Sequence, residues 1–346
     1  MKQRFFLIIS ALLISLFAYS QEDVKVRLAC IGFYNLENLF DTINDPTIND
    51  EDFLPEGSYQ WTSERYFEKL DNLSFVIDQI GNKYNNLRPV ILGVSEIENI
   101  TVLEDLVNTK LLKPLDYGIV HYDSPDRRGV DVALIYQKSK FTVLSSASYR
   151  LTIPDKEDFY TRDQLLVTGI LYEDTLNIIV NHWPSRRGGA KTSAPLRNAA
   201  ADLNRHIVDS ILRINPNAKI IVMGDFNDDP DDKSVFHHLR AIGNKSKLQE
   251  GDLFNTMWDL YKNGIGSLAY RGKWNLFDQI IVSQGLLDND KESWELHTAH
   301  VFNENFLISQ EGRWAGYPYR TYSGGSYIGG YSDHLPTYII LVKKAK

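Results

Sequence analysis

Apolar runs of strand length recur along this chain at 28–34, 90–94, 130–136, 165–171, 176–181, 219–223, 277–282 and 335–342. Helical periodicity interrupts them in three places. Tyr66, Leu70, Leu73, Ile77 and Ile80 repeat at helical spacing, with Thr62 and Ser63 as cap candidates before them and Gly81 as a stop. Ser193 and Pro195 open a second helix, which carries Leu196, Ala199, Ala200, Leu203, Ile207 and Ile211 on one side and ends before Pro216. Asn99 caps a third around 102–107. Strands mixed with helices, some in hairpin-like pairs, predict an α/β protein of layers with more than one sheet. No internal repeat and no Pro-, Gly- or Ser-rich linker divides the chain, so a single domain over 21–346 is expected.

Short polar clusters sit mostly where these runs end, the place where open α/β sheets hold their ligands. They are YNLEN (34–38), VSEIEN (94–99), RRGVD (127–131), NHWPS (181–185), GDFND (224–228) and YSDH (331–334). In GDFND, Gly224 ends a buried strand, and an extended backbone would point Asp225 and Asn227 the same way. A carboxylate beside a neutral amide can orient a water and hold a phosphate oxygen; the alternative is an acidic turn, since the acidic run continues to Asp232. Asn35 and Glu37 share that spacing after the first strand, and Glu96 follows the second. Oxygen donors without a thiolate cluster point to Mg²⁺ or Mn²⁺. For Glu37, a solvated loop carboxylate is the competing reading.

His182 closes an apolar strand before Trp183-Pro184, and His334 lies beside Asp333, which makes the two histidines acid–base candidates. Asp278 interrupts an apolar strand, where a carboxylate is costly unless paired, and a histidine is its natural partner. The remaining histidines, His121 among them, show no such setting. GxSxG, the P-loop, HExxH and paired CxxC are all absent from the sequence.

Composition narrows this picture. Lys2 and Arg4, the apolar run 5–17 and Ala18-Tyr19-Ser20 read as a signal peptide over 1–20, so a periplasmic or extracellular location is expected. No later stretch is long and apolar enough for a membrane anchor. Cys30 is the only cysteine, which excludes an intramolecular disulfide. The formal charge of −8 becomes −10 once Lys2 and Arg4 are removed, and this argues against a tight, static nucleic-acid binder. A catalyst needs only local positive charge, and Arg127-Arg128, Arg186-Arg187 with Lys191, and Arg271 with Lys273 offer it.

Taken in order, the clusters resemble the endonuclease/exonuclease/phosphatase superfamily, whose relatives include deoxyribonuclease I and the major AP endonucleases. The resemblance runs from Asn35 to His334. It implies a deoxyribonuclease I-like fold: a four-layer sandwich of two mixed β-sheets flanked by helices, with the active site at one edge. By position it implies metal binding by Glu96 with Asn35 and Asp333, and a catalytic His334 oriented by Asp278. It further implies Asp225 and Asn227 as the GDxN pair, and His182 as the histidine of the deoxyribonuclease and sphingomyelinase branches. Arg162 matches a phosphate-contacting arginine, and Asp123 the acid partnering the first histidine. Asp131, in RRGVD, is a further candidate from a stretch that not every member carries.

The expectation is an exported, Mg²⁺- or Mn²⁺-dependent phosphodiesterase, monomeric and without an obligate protein partner, acting on nucleic acid as an endonuclease. In it His334 activates water, His182 binds the phosphate or protonates the leaving oxygen, and Asn227 and Arg162 steady the non-bridging oxygens. The alternatives are a sphingomyelinase-like phospholipid hydrolase, a small-phosphoester hydrolase, and a non-catalytic binding protein; the intact polar set argues against the last. The segment 301–330, with Trp314, Tyr317, Tyr319, Tyr322 and Tyr327, is long for a minimal member. It reads as a self-packed surface loop, with base stacking as its functional alternative.

Overall fold

The computed structural model of the protein describes residues 25–154 and 156–345. The expected signal peptide over 1–20 lies outside them. The chain opens with β1 (Val26–Leu39), α1 (Ser63–Gln79), β2 (Pro89–Ile97), α2 (Ile100–Val107), β3 (Tyr117–His121) and β4 (Asp131–Gln137). Then follow β5 (Phe141–Tyr149), β6 (Gln164–Leu171), β7 (Asp174–His182), α3 (Ala190–Ile214) and β8 (Lys219–Asp225). Short strands β9 (Ala241–Ile242) and β10 (Leu253–Asn255) lead through α4 (Trp258–Lys262) to the hairpin β11 (Leu268–Tyr270) and β12 (Lys273–Asn275). After β13 (Asp278–Ser283) and β14 (Glu295–Val301), a second hairpin, β15 (Tyr322–Ser323) and β16 (Ser326–Tyr327), precedes β17 (Thr337–Lys344).

Two large mixed sheets result among the described residues, a six-stranded one ordered β14-β17-β1-β2-β4-β3 and a seven-stranded one ordered β5-β6-β7-β8-β13-β10-β9. Their facing sides share one apolar core that includes Ile31, Phe33, Leu134, Ile178, Val180, Met223, Ile280 and Ile339. The opposite side of the first sheet packs on α1 and α2 through Leu70, Leu73, Ile77, Leu103 and Leu106. The outer side of the second packs on α3 through Ala200, Ala201, Ile207 and Val208. This is the expected four-layer sandwich.

The helices form where the periodicity places them. Thr62 caps α1 through its side chain, and Asn99 caps α2 by accepting from Val102 N at 3.1 Å. The second helix differs: it starts at Ala190 rather than Ser193, because Gly188 and Gly189 take left-handed φ of 78° and 107° and break the chain just before it. Pro195 therefore lies inside α3 rather than opening it.

Strand alternation carries the core directly into a polar end. Phe33, Val180, Met223 and Ile280 all belong to the core between the sheets, and the residue two places along the strand at its polar end is Asn35, His182, Asp225 or Asp278. With a side-chain period of two, these four polar groups emerge between the sheets at one edge. In the second sheet they stand in a row: β7 pairs with β8 so that His182 faces Asp225, and β13 pairs with β8 so that Asp278 faces Asp225.

Candidate active site

Glycine makes that row possible. A Cβ on Gly224 would lie 2.3 Å from the carbonyl oxygen of Asn181, so only glycine lets β7 and β8 close at this point. Asn181 is itself locked: its Oδ1 accepts from Asn204 Nδ2 at 2.7 Å and from the Trp183 indole at 3.1 Å. The NHWPS motif is thus pinned on both sides of His182.

His334 closes over the row from the loop before β17. Its N–H donates to Ser332 Oγ (3.1 Å), and that hydroxyl donates to the carbonyl of Asn35 (2.7 Å), tying the YSDH loop to β1. On the other side its backbone bridges to Leu268, and Leu335 N donates to Ser267 O. Its Nδ1 lies 2.7 Å from Asp278 Oδ2, which also accepts from Ser267 Oγ at 2.5 Å. Nε2 is left facing Asp225 Oδ2 at 3.9 Å and Asp333 Oδ1 at 4.0 Å.

Asp225 Oδ2 is the centre of the arrangement. Asn35 Nδ2 donates to it at 3.2 Å, and His182 Nε2 stands 3.6 Å away. The same His182 nitrogen is 3.7 Å from Glu96 Oε1. Glu96 belongs by strand alternation with Leu92 and Val94, which face the helices; its left-handed φ of 58° and a bulge between Ser95 and Ile97 turn it toward the site. Its Oε2 accepts from Asn38 N at 3.1 Å.

Burial and charge set these groups apart from one another. Burial would depress the His334 imidazole, but the charge and hydrogen bond of Asp278, with Asp225 and Asp333, hold its pKa well above the ordinary value. Burial lowers His182 well below the ordinary value, and the charges of Arg162, Arg128 and His334 push the same way. Asp225 is pushed up to about 7 by burial; the charge of His334 opposes this and that of Asp278 adds to it. Two buried polar atoms of the site, His182 Nδ1 and Asp278 Oδ1, have no hydrogen-bond partner.

Several expected residues stand elsewhere. Asn227 is not extended: its φ is 51°, its N–H donates to Asp225 Oδ1 (2.9 Å), and its amide donates to the carbonyl of Trp183 (2.9 Å), so it fixes Asp225 instead of pointing beside it. Glu37, also left-handed at 52°, turns away and accepts from Thr321 N (2.7 Å) and Oγ1 (2.8 Å), with buried Lys69 at 3.6 Å. Arg162 is buried, and its guanidinium donates to the carbonyls of His182 and Trp183 and to Asp126 Oδ2 (3.0 Å), so it props the His182 loop. Asp123 is exposed and lies 3.9 Å from His121, not beside His182, whose Nδ1 is bare. Asp131 accepts from Ser124 and pairs with His121 at 2.9 Å, so His121 is not the ordinary residue expected. Asp333, by contrast, stands at the site's rim, 3.6 Å from Arg320.

Ser267 was invisible in the sequence, and Arg128 stood there only as local positive charge. Ser267 sits in no motif, and its role follows from the β11 turn meeting Asp278 across eleven residues. Arg128 had a signal in RRGVD, but only the fold shows its charge acting on His182.

A profile of the Endonuclease/Exonuclease/phosphatase family matches residues 30–343. Among solved structures, a humanized D. rerio TDP2 carrying 14 mutations is similar, with a TM-score of 0.56 at 14% identity over 91% of this chain and 98% of that one. An endonuclease/exonuclease/phosphatase family protein from Bacteroides thetaiotaomicron gives 0.53 at 16% identity, over 93% of this chain and 100% of that one. The human Nocturnin catalytic domain gives 0.53 at 16% identity, over 92% and 96%. No curated protein sequence matches this chain. Fold and site define a metal-dependent phosphoric ester hydrolase with a deoxyribonuclease I-like architecture. The chain belongs to the Endonuclease/Exonuclease/phosphatase family.

Proposed function

We propose that this is an exported endonuclease that hydrolyses phosphodiester bonds of DNA or RNA, with His334 as the base that activates water. The observation that carries the reading is the row His182–Asp225–Asp278 with His334 held over it by Asp278 at 2.7 Å. Asp278 takes the Nδ1 proton side of the imidazole and fixes its orientation, so Nε2 is the nitrogen that removes the proton from the attacking water. His182, kept neutral by burial and by the neighbouring cations, donates from Nε2 to a non-bridging phosphate oxygen. Asn35 and Asn227 hold Asp225 from two sides, and Asp225 orients the water.

Glu96, Asn35 and Asp333 suit a hard cation. Glu96 and Asp225 converge on His182 Nε2 at 3.7 and 3.6 Å, Asp225 and Asp333 on His334 Nε2 at 3.9 and 4.0 Å, and the charge of Glu96 is among the causes that raise Asp225. Bound there, Mg²⁺ or Mn²⁺ would neutralise the phosphate's charge. The close triplet Asp225, Asp278 and His334 is a less suitable cage, because Asp278 Oδ2 and His334 Nδ1 already satisfy each other.

Nucleic acid is favoured by the cations that ring this edge of an otherwise acidic chain. A cavity of about 810 Å³ beside Phe277 is lined by Arg186, Arg187, Arg271 and Lys273, and another of about 530 Å³ by Arg127, Arg128 and Arg187. One similar structure, D. rerio TDP2 at a TM-score of 0.54 and 14% identity, was solved with a single-strand DNA product. Export rests on the leader read at 1–20. The test is incubation of the mature protein with plasmid DNA, RNA and sphingomyelin vesicles, each with Mg²⁺, Mn²⁺ or EDTA, beside His334→Ala. Metal-dependent nicking lost in the variant is expected; cleavage of sphingomyelin alone would replace nucleic acid with phospholipid.

A further inference from the structure

The segment between β14 and β17 does two different things. One half packs on the body: Tyr322 and Tyr327 pack on each other and on Trp61, and Arg65 lies over the Tyr327 ring at 4.6 Å. Buried Lys69 holds this half by donating to Thr321 Oγ1 and to the carbonyl of Tyr331, both at 2.7 Å. That half is the self-packed loop the sequence suggested. The other half does not close on itself. Phe306, Ile308, Arg313, Trp314, Tyr319 and Ile328 line an open cavity of about 770 Å³.

This cavity adjoins the catalytic edge. Tyr319 O accepts from Tyr331 N at 2.6 Å, and Arg320 reaches Asp333 at 3.6 Å, one residue from His334. Gly312 and Gly316, at left-handed φ of 77° and 83°, bracket the turn that presents Trp314. The Arg313 and Arg320 guanidiniums lie 5.1 Å and 5.7 Å from the Trp314 ring centroid. An indole flanked by two guanidiniums is complementary to a flat ring carried on phosphates. A bilayer would ask for the reverse, apolar tips pointing outward. The large apolar side chains that stand exposed among the described residues include none from 301–330.

We propose that this cavity is a nucleobase subsite, which takes the base of a nucleotide flanking the scissile phosphate and stacks it on Trp314. Exposed Arg313 then leaves the ring face to the base and turns to a neighbouring phosphate. The inference rests on nucleic acid being the substrate, and it makes the site prefer strands that carry bases over bare sugar-phosphate chains.

The test uses His334→Ala protein with Mg²⁺ and two labelled single strands of equal length, one natural and one built of abasic tetrahydrofuran units. Stacking of one base contributes about 5- to 150-fold in affinity. The natural strand should bind more tightly by about that factor, and Trp314→Ala should abolish the preference. Trp314→Phe should retain it, which separates stacking from damage to the segment. A preference unchanged by Trp314→Ala overturns the proposal. So does a Trp314-dependent sedimentation with sphingomyelin vesicles accompanied by no base preference, which would make the segment a lipid contact. If the wild-type protein cuts no nucleic acid but the preference depends on Trp314, the subsite stands and the nuclease reading falls. If it cuts nucleic acid and the preference ignores Trp314, the subsite alone falls.

Discussion

Among the described residues, two buried carboxylate–imidazole pairs stand at hydrogen-bonding distance, and they are built from the same parts. Asp131 meets His121 at 2.9 Å, and Asp278 meets His334 at 2.7 Å. Around Asp131 every acceptor is taken: Oδ1 receives the N–H and hydroxyl of Ser124, and Oδ2 receives His121. The other nitrogen of His121 looks out to exposed Asp123. Around Asp278 one oxygen has no partner, and the second nitrogen of His334 looks inward to Asp225 and Asp333. A closed pair fastens the 122–131 loop to β4. An open pair stores unsatisfied polarity at an edge where a substrate can supply the missing partner. For these two pairs, composition alone does not separate one from the other; the tally of satisfied atoms does.

Substitution at the imidazoles should break the two pairs apart most widely. His334→Ala, or Asp278→Asn, is expected to lower kcat by about 10²- to 10⁴-fold, the usual worth of general acid–base catalysis. His121→Ala should leave kcat within a few-fold, as steady-state cleavage of a metal-loaded sample would show. Equal losses at both histidines would erase the distinction.

Arg162 sharpens it next. Each of its three nitrogens donates to the protein, which places it with the scaffold, so Arg162→Met leaves buried Asp126 with only half-exposed Arg128 as a charged partner. A loss of about 3 kcal/mol in urea unfolding is expected. A raised KM with unchanged stability would instead return Arg162 to the phosphate. Asp131→Ala should then cost about 1–3 kcal/mol, the penalty for leaving buried partners unsatisfied, without a matching loss of turnover.

Legibility in the sequence followed the same division. Phe33, Val180, Met223 and Ile280 announced their strands through apolar runs, and period-two alternation from them reaches Asn35, His182, Asp225 and Asp278. Thr62 and Asn99 announced their helices because a cap needs one side chain at one position. What alternation misses is the left-handed residue. Glu37, Glu96 and Asn227 all have φ between 51° and 58°, and each points where an extended backbone would not send it. For Asn227 and Glu37 this defeated the expected shared direction with their neighbours. Edge strands β3, β5 and β14 were also missed, since half-exposed stretches such as FTVLSSASY carry too little apolar signal. The partners of Arg162 and Asp131 lie 36 and 10 residues away from them, and spacing along the chain does not encode them.

The smallest expected effect concerns pH. Glu98, in the loop after β2, is pushed up to about 8 by burial; the Asp41 N–H offsets this in part, and the charges of Asp41, Asp50 and Asp45 add to it. Its folded pKa exceeds the ordinary 4.5, so its contribution to stability is complete below 4.5 and is lost as pH rises through about 8. Between pH 7 and 9 the wild-type Tm should therefore fall, and that of Glu98→Gln should fall less. Parallel curves would mean that Glu98 is charged throughout, as a solvated carboxylate would be.

The central claim is that His334, held by Asp278, removes the water's proton, and the pH dependence of kcat/KM tests it most directly. Wild-type, His121→Ala and His334→Ala proteins would be compared at saturating Mg²⁺ on one defined phosphodiester. If the neutral imidazole is the active form, the rate should climb with pH through an ionisation of His334 in the wild type and in His121→Ala. That limb should vanish in His334→Ala. The same ionisation persisting without His334 would contradict the assignment.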